Sequence, residues 1–230
     1  MSTQKDSIAI LLSNRSYLYK LLQRVFGDEP KRELLEIVTG EHTKESLQLI
    51  LEENDPKSDD YFDLLTELDQ KLKDNAEDLL DKLRSEYTYL MIGPDKLPAP
   101  PWESVYTTKE RLIFQESTLK VRQAYLKYNF LPANYPHEAD DHLALELDFM
   151  AHLAELASKH FEEERDEEVR KVLLDQKAFL DEHLLLWIDD FAEQIQQSKT
   201  HYFYPQMAML TEQVLKIDRE LIEEILTLLE

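Results

Sequence analysis

The sequence predicts an all-α fold, on three observations. Only 3 of 230 residues are glycine, while Leu, Glu, Lys and Ala, all good helix formers, are abundant. Apolar residues recur at helical spacing along most of the chain, and no stretch alternates as a half-buried strand would. The breaks between periodic stretches are marked by Gly and Pro, the residues that end helices.

Each element can be justified in order. Leu18, Leu21, Leu22, Val25 and Phe26 follow i, i+3, i+4, i+7, i+8 and predict a first amphipathic helix ending at Gly27. Short helices are expected near 31–38 and 43–53. From Asp59 to Ile92 the pattern is helical, broken near Asn75, with Leu79, Leu80, Leu83, Tyr87, Leu90 and Met91 on its apolar stripe. Gly93-Pro94 should end it. Thr107, with Glu110 three residues on, reads as the capping box of a helix running to about Asn129. The segment "HLALELDFMAHLAELASKHF" is apolar on more than one face, so that helix should be central. A following helix is expected to carry Leu180, Leu184, Trp187, Ile188, Phe191 and Ile195, and two more should lie within 203–229. The Pro-containing break at 129–139 is the best candidate hinge. It divides the chain into an N-terminal helical subdomain, 1–128, and a C-terminal one, 140–230.

Charge and composition exclude several functions. The balance of 26 basic against 48 acidic residues gives −22, a surface that repels nucleic acid and anionic lipid and favours basic partners. With no cysteine there can be no disulfide, thiol nucleophile or thiolate metal site. The brief "IAILL" run near the N-terminus is too short for a secretory signal, and no apolar run approaches the roughly 20 residues of a membrane span. The expectation is a soluble, untargeted chain without stable membrane insertion.

Catalytic templates find no match. The three glycines are too far apart for a phosphate loop, and GxSxG, HExxH and His-Asp are absent. No histidine has a carboxylate three residues before it, as a di-iron bundle requires. His142 with Glu146, and Asp148 with His152, are possible chelating pairs, but they face different sides of one helix and cannot converge on one ion. No metal or cofactor is expected.

Two stretches stand out. "GPDKLPAPPWESVY", residues 93–106, holds one of the three glycines and four of the nine prolines. Pro100-Pro101 fixes the backbone, so Trp102 is presented from a stiff support, either plugging the core or walling a groove. "HEADDH", residues 137–142, opens the central helix. Asp140 or Asp141 can serve as its N-cap, or Asp141 and His142 can meet a cationic ligand group.

Taken together, "YTYLMIGP", "LPAPPWESVY" and "DDHLALELDFMAHLAEL", in that order, resemble the TorD/DmsD family of redox-enzyme maturation chaperones. Met91-Ile92 and Ala139 depart from the pattern, standing where the family usually carries Phe with a variable residue, and Pro. The resemblance implies a non-enzymatic, cytoplasmic helical chaperone without cofactors. Its partners would be the twin-arginine signal peptide and the body of a molybdopterin oxidoreductase catalytic subunit. It would act before export as a monomer or a domain-swapped dimer. Carried over residue by residue, the peptide site would comprise Pro101, Trp102, Glu103, Ser104 and Tyr106 with Asp141 and His142, Glu146 being next on the same face. Tyr87, Gly93 and Pro94 match as well, and packing and helix termination account for them. The rival class is a helical metal- or nucleotide-dependent hydrolase built on His and carboxylates.

Overall fold

A computed structural model describes residues 2–51, 56–93, 96–132, 138–200 and 202–229, and it is all-helical. The helices are α1 (Ser2–Gly27), α2 (Arg32–Val38), α3 (Glu41–Gln48), α4 (Pro56–Tyr87), α5 (Glu103–Thr107), α6 (Glu116–Lys127), α7 (Leu143–Glu162), α8 (Asp166–Glu182), α9 (Ile188–Gln196) and α10 (Tyr204–Leu228). Among the described residues, no helix is long and apolar enough to cross a membrane.

The centre of the molecule is α7, as its all-round apolar pattern predicts. Leu143, Leu147, Met150, Ala151, Ala154 and Ala157 are all buried, and the alanines let α1 lie along one side and α8 along another. Gly27 ends α1 beside α7, where a Cβ would sit 3.0 Å from Gln23 Nε2 and 3.2 Å from the Cβ of Ala144. The α1 stripe of Leu18, Leu21, Leu22, Val25 and Phe26 is buried in full. One apolar core therefore runs through both sides of 129–139, with α1 from the first part packed on α7 from the second. Residues 133–137, in the middle of the expected hinge, lie outside the described residues, as does Pro94.

The break expected near Asn75 is a kink inside α4, where Asn75 has φ −157° and ψ 85°. A π-helical turn, Thr88–Ile92, follows α4 and closes on Gly93, whose φ of 87° is left-handed. Facing it, the Glu86 carboxylate accepts the backbone N–H groups of Tyr202, Phe203 and Tyr204 at 3.1–3.4 Å, satisfying the start of α10 from another helix.

Three expectations need correction. Thr107 does not open a helix; it ends α5, because the Thr107 and Thr108 hydroxyls turn back onto the carbonyls of Glu103 and Ser104. The chain then runs irregularly, with positive φ at Arg111 and Phe114, until α6 starts at Glu116. The stripe from Leu180 to Ile195 is buried as expected but belongs to more than one helix. Non-helical angles at His183 and Trp187 bracket a 3-10 turn, Leu184–Leu186, between α8 and α9. Finally, 203–229 forms one helix, α10, rather than two.

Candidate peptide-binding site

The two unusual stretches of the sequence meet. Pro100-Pro101 leads into Trp102 in extended geometry, φ −127° and ψ 129°. There the chain pairs antiparallel with the segment opening α7. The Leu143 N–H donates to the Pro101 carbonyl at 2.9 Å, and the Glu103 N–H to the Asp141 carbonyl at 3.0 Å. Trp102 and His142 face each other across this pairing, ring edge to ring face with centroids 5.5 Å apart. The indole N–H donates to Glu138 at 2.9 Å.

Each stretch starts a helix for the other or for itself. The N-cap of α7 is His142, whose Nδ1 accepts the Ala144 N–H at 3.1 Å; neither Asp140 nor Asp141 caps that helix. Asp141 instead caps α5 from across the pairing, its Oδ2 accepting the Ser104 N–H at 2.8 Å. Asp140 is drawn the other way, to Arg122 of α6 at 2.7 Å. As an Nδ1 acceptor, His142 is a neutral imidazole carrying its proton on Nε2. Burial lowers its pKa from 6.5, against the opposing pull of Glu138 and Asp141.

The eight residues singled out from the sequence thus form one cluster, with unequal access. Pro101, Glu103, Ser104, Asp141 and Glu146 are buried; Trp102, Tyr106 and His142 are half-buried. Glu103 is anchored inside the molecule by His183, with Oε2 to Nδ1 at 2.9 Å. Tyr106 stacks on the buried Trp187 at 5.3 Å, and burial pushes its hydroxyl far above the usual tyrosine range. Tyr87 packs inside, its pKa raised to about 12 by burial, then by Asp28, Glu29 and Glu138.

What Trp102 presents to solvent is the wall of an open cavity of about 560 Å³. Pro98, Pro100, Trp102 and Val105 form one side, and Leu112 and Ile113 from the irregular run after α5 form the other. Lys96, Glu110 and Arg111 stand at the rim. Leu112 is 57% exposed, and neighbouring Phe114 is 69% exposed. An apolar, solvent-facing surface of this kind is a candidate binding site.

Glu138, His183, Trp187, Leu112 and Ile113 were not among the eight residues singled out from the sequence. The "RLIF" run was a usable signal, being apolar without helical continuation. His183 gave none, since its tie to Glu103 spans 80 residues of sequence. Among the described residues, no group of three or more His, Asp and Glu side chains is placed to hold a metal ion.

An all-helical scaffold whose Trp loop pairs with an acidic helix start beside an apolar groove is a candidate protein- or peptide-binding module. Comparison with known proteins specifies it. The family model of the nitrate reductase delta subunit matches residues 54–193. The chain is 35% identical over 133 residues to a Haemophilus influenzae protein named as the Tat proofreading chaperone DmsD, an alignment that spans 58% of each chain. It is 26% identical over 204 residues to the chaperone protein TorD of Aliivibrio salmonicida, covering 89% of this chain and 92% of that one. The crystal structure of a redox enzyme maturation protein from Archaeoglobus fulgidus has the same fold, with a TM-score of 0.51 over 88% of this chain and 93% of the other, at 22% identity. The protein belongs to the nitrate reductase delta subunit family, among its TorD/DmsD chaperones. Its relatives are named as chaperones, not enzymes.

Proposed function

We propose that the protein is a cytoplasmic chaperone for one molybdopterin oxidoreductase precursor, of the dimethyl sulfoxide or trimethylamine N-oxide reductase type. It binds the precursor's twin-arginine signal peptide and holds it back from export while cofactor is inserted. The observation that carries this reading is the apolar cavity walled by Trp102 and hydrogen-bonded through its loop to the acidic start of α7. A twin-arginine signal has an Arg pair followed by an apolar segment. The cavity suits the apolar segment laid in a helical groove, and the net charge of −22 steers the cationic end. Trp102, Tyr106 and His142 are the candidate contacts that are not fully buried, and the hinge at 129–139 is where two copies would exchange their 140–230 halves.

The test is calorimetric titration with a synthetic twin-arginine signal peptide and its Lys-Lys version. Micromolar binding that weakens at least tenfold for Lys-Lys supports the reading. Equal binding of both, or none, overturns it. Gel filtration of the free protein reads the oligomeric state.

A further inference from the structure

Among the described residues, six of the thirteen exposed large hydrophobic side chains fall between residues 112 and 131, so the exposed apolar surface is concentrated on and around α6. Leu112 and Ile113 line the cavity beside Trp102. Phe114, Leu119, Leu126 and Leu131 do not, and they are 58–69% exposed.

Helical spacing sorts α6 into two faces. Thr118, Val121 and Tyr125 are buried, while Leu119, Lys120, Gln123, Leu126 and Lys127 are exposed. The exposed face repeats a Leu-Lys pair at i and i+7, Leu119-Lys120 and then Leu126-Lys127. Two leucines therefore stand two turns apart, about 10 Å along the axis, each with a lysine beside it. An apolar repeat of seven residues is the seam by which one helix packs along another. The chain ahead of α6 is held at a cost. Phe114 has φ 61°, a left-handed conformation strained for an aromatic residue, and its ring is left in water. Backbone strain and exposed apolar surface both concentrate at binding sites.

Charge identifies the partner. Between Thr107 and Leu131, Lys109, Arg111, Lys120, Arg122 and Lys127 stand against Glu110 and Glu116, in a chain that has 26 basic against 48 acidic residues. Arg122 is committed to the buried Asp140. Lys120 and Lys127 are held only at the surface, by Glu116 one turn back and by Asp175 of α8, pairs that exchange partners at little cost. Asp175 also accepts the Tyr128 hydroxyl, so it keeps a partner when Lys127 turns outward. At physiological salt charges act over roughly 8 Å, so these lysines, and not the net −22, set what the face accepts. A second copy about a twofold axis would set lysines against lysines.

We propose that the outer face of α6 docks an acidic amphipathic helix of a partner protein, its apolar seam on Leu119 and Leu126 and its carboxylates on Lys120 and Lys127. The surface is separate from the Trp102 cavity, and its role does not depend on the signal-peptide reading.

The experiment is a fluorescence anisotropy titration of the full chain into a labelled synthetic helix of about three heptads, with Leu at a and d and Glu at e and g. Wild type should bind it saturably, and more weakly as salt rises. Leu119→Ser/Leu126→Ser and Lys120→Glu/Lys127→Glu alter exposed side chains, so both should keep the wild-type circular dichroism spectrum and urea midpoint. Each should bind the helix at least tenfold more weakly. No saturable binding by wild type, or equal binding by either double variant, overturns the proposal. Loss of binding in Trp102→Ala would put the helix in the cavity and overturn it as well. Sedimentation of the protein alone reads the other occupant: a dimer that dissociates on Leu119→Ser/Leu126→Ser would give the face to a second copy instead.

Discussion

Two buried polar clusters among the described residues are built differently. In the first, Arg15 of α1 donates to Asp218 of α10 and, at 3.0 Å, to Gln176 of α8. Tyr19 adds a 2.6 Å bond to the same Asp218, and Gln176 donates on to the Met150 carbonyl of α7. Four helices are tied together, and Arg15 Nη1 is the one nitrogen of that guanidinium without a partner among the described residues. In the second, under the Trp102 loop, only three of the six carboxyl oxygens of Glu103, Asp141 and Glu146 lack a partner at normal geometry among the described residues, namely Asp141 Oδ1 and both oxygens of Glu146. A closed network specifies how helices assemble. The second joins the Trp102 loop to the start of α7 and to the turn after α8, and it does not tie long helices to one another.

The largest expected effect breaks the closed cluster. Asp218→Ala leaves Arg15 charged and buried without its partner, which costs about 3–5 kcal/mol. A urea midpoint series reads it. In the second cluster, Glu146→Gln should cost nothing at pH 7 and is expected to stabilise, since folding no longer has to protonate a carboxylate. Equal destabilisation by the two substitutions would erase the contrast.

Asp141→Ala comes next and sharpens the boundary between structure and site. Its Oδ2 caps α5 at Ser104, so its removal should cost about 1–2 kcal/mol in the same urea series. Asp141→Asn keeps an acceptor and should recover most of that stability. Should both variants match wild type, the pairing across the two stretches would not be what holds α5 in place.

Trp102→Ala acts on the cavity side. The indole is half-buried, so its loss should lower peptide affinity about tenfold while changing stability by less than about 1 kcal/mol. Unchanged affinity would move the guest away from this groove.

How much of this could be read from the sequence depended on range. The helical stripes of α1 and α7, the kink at Asn75 and the stop at Gly93 are local, set by spacing and by single residues, and all were legible. Thr107 is a good N-cap by identity, yet it stands at the end of α5 and its hydroxyl turns back onto the Glu103 carbonyl, while the other failures are long-range. Asp141 has the right residue type for capping α7 but caps α5, 37 residues away in sequence. The stripe through Trp187 is helical in spacing but is divided at His183, the residue tied to Glu103. The two stretches were legible as motifs, and which of their residues face solvent was not. Spacing places a side chain on a helix face, whereas exposure is decided by the elements that pack against it.

The smallest effect is the pH response of His142, and its sign can be worked out. Folding depresses its pKa below the 6.5 of the unfolded chain, so on acidification the unfolded state takes up the proton first. Stability is full above about pH 6.5 and declines as pH falls from there towards the folded value, by at most about 1.4 kcal/mol per pH unit. Protonation also removes the Nδ1 acceptor that caps α7 at Ala144. Glu146 works in the opposite direction, its contribution being present below about 4.5 and lost as pH rises. Wild type must therefore be compared with His142→Asn, which keeps an N-cap acceptor and does not titrate. Between pH 7.5 and 5.5 wild type should lose more stability than the variant. Parallel pH profiles would mean that His142 is not held as a neutral cap, and that the pairing opposite Trp102 is set by the backbone alone.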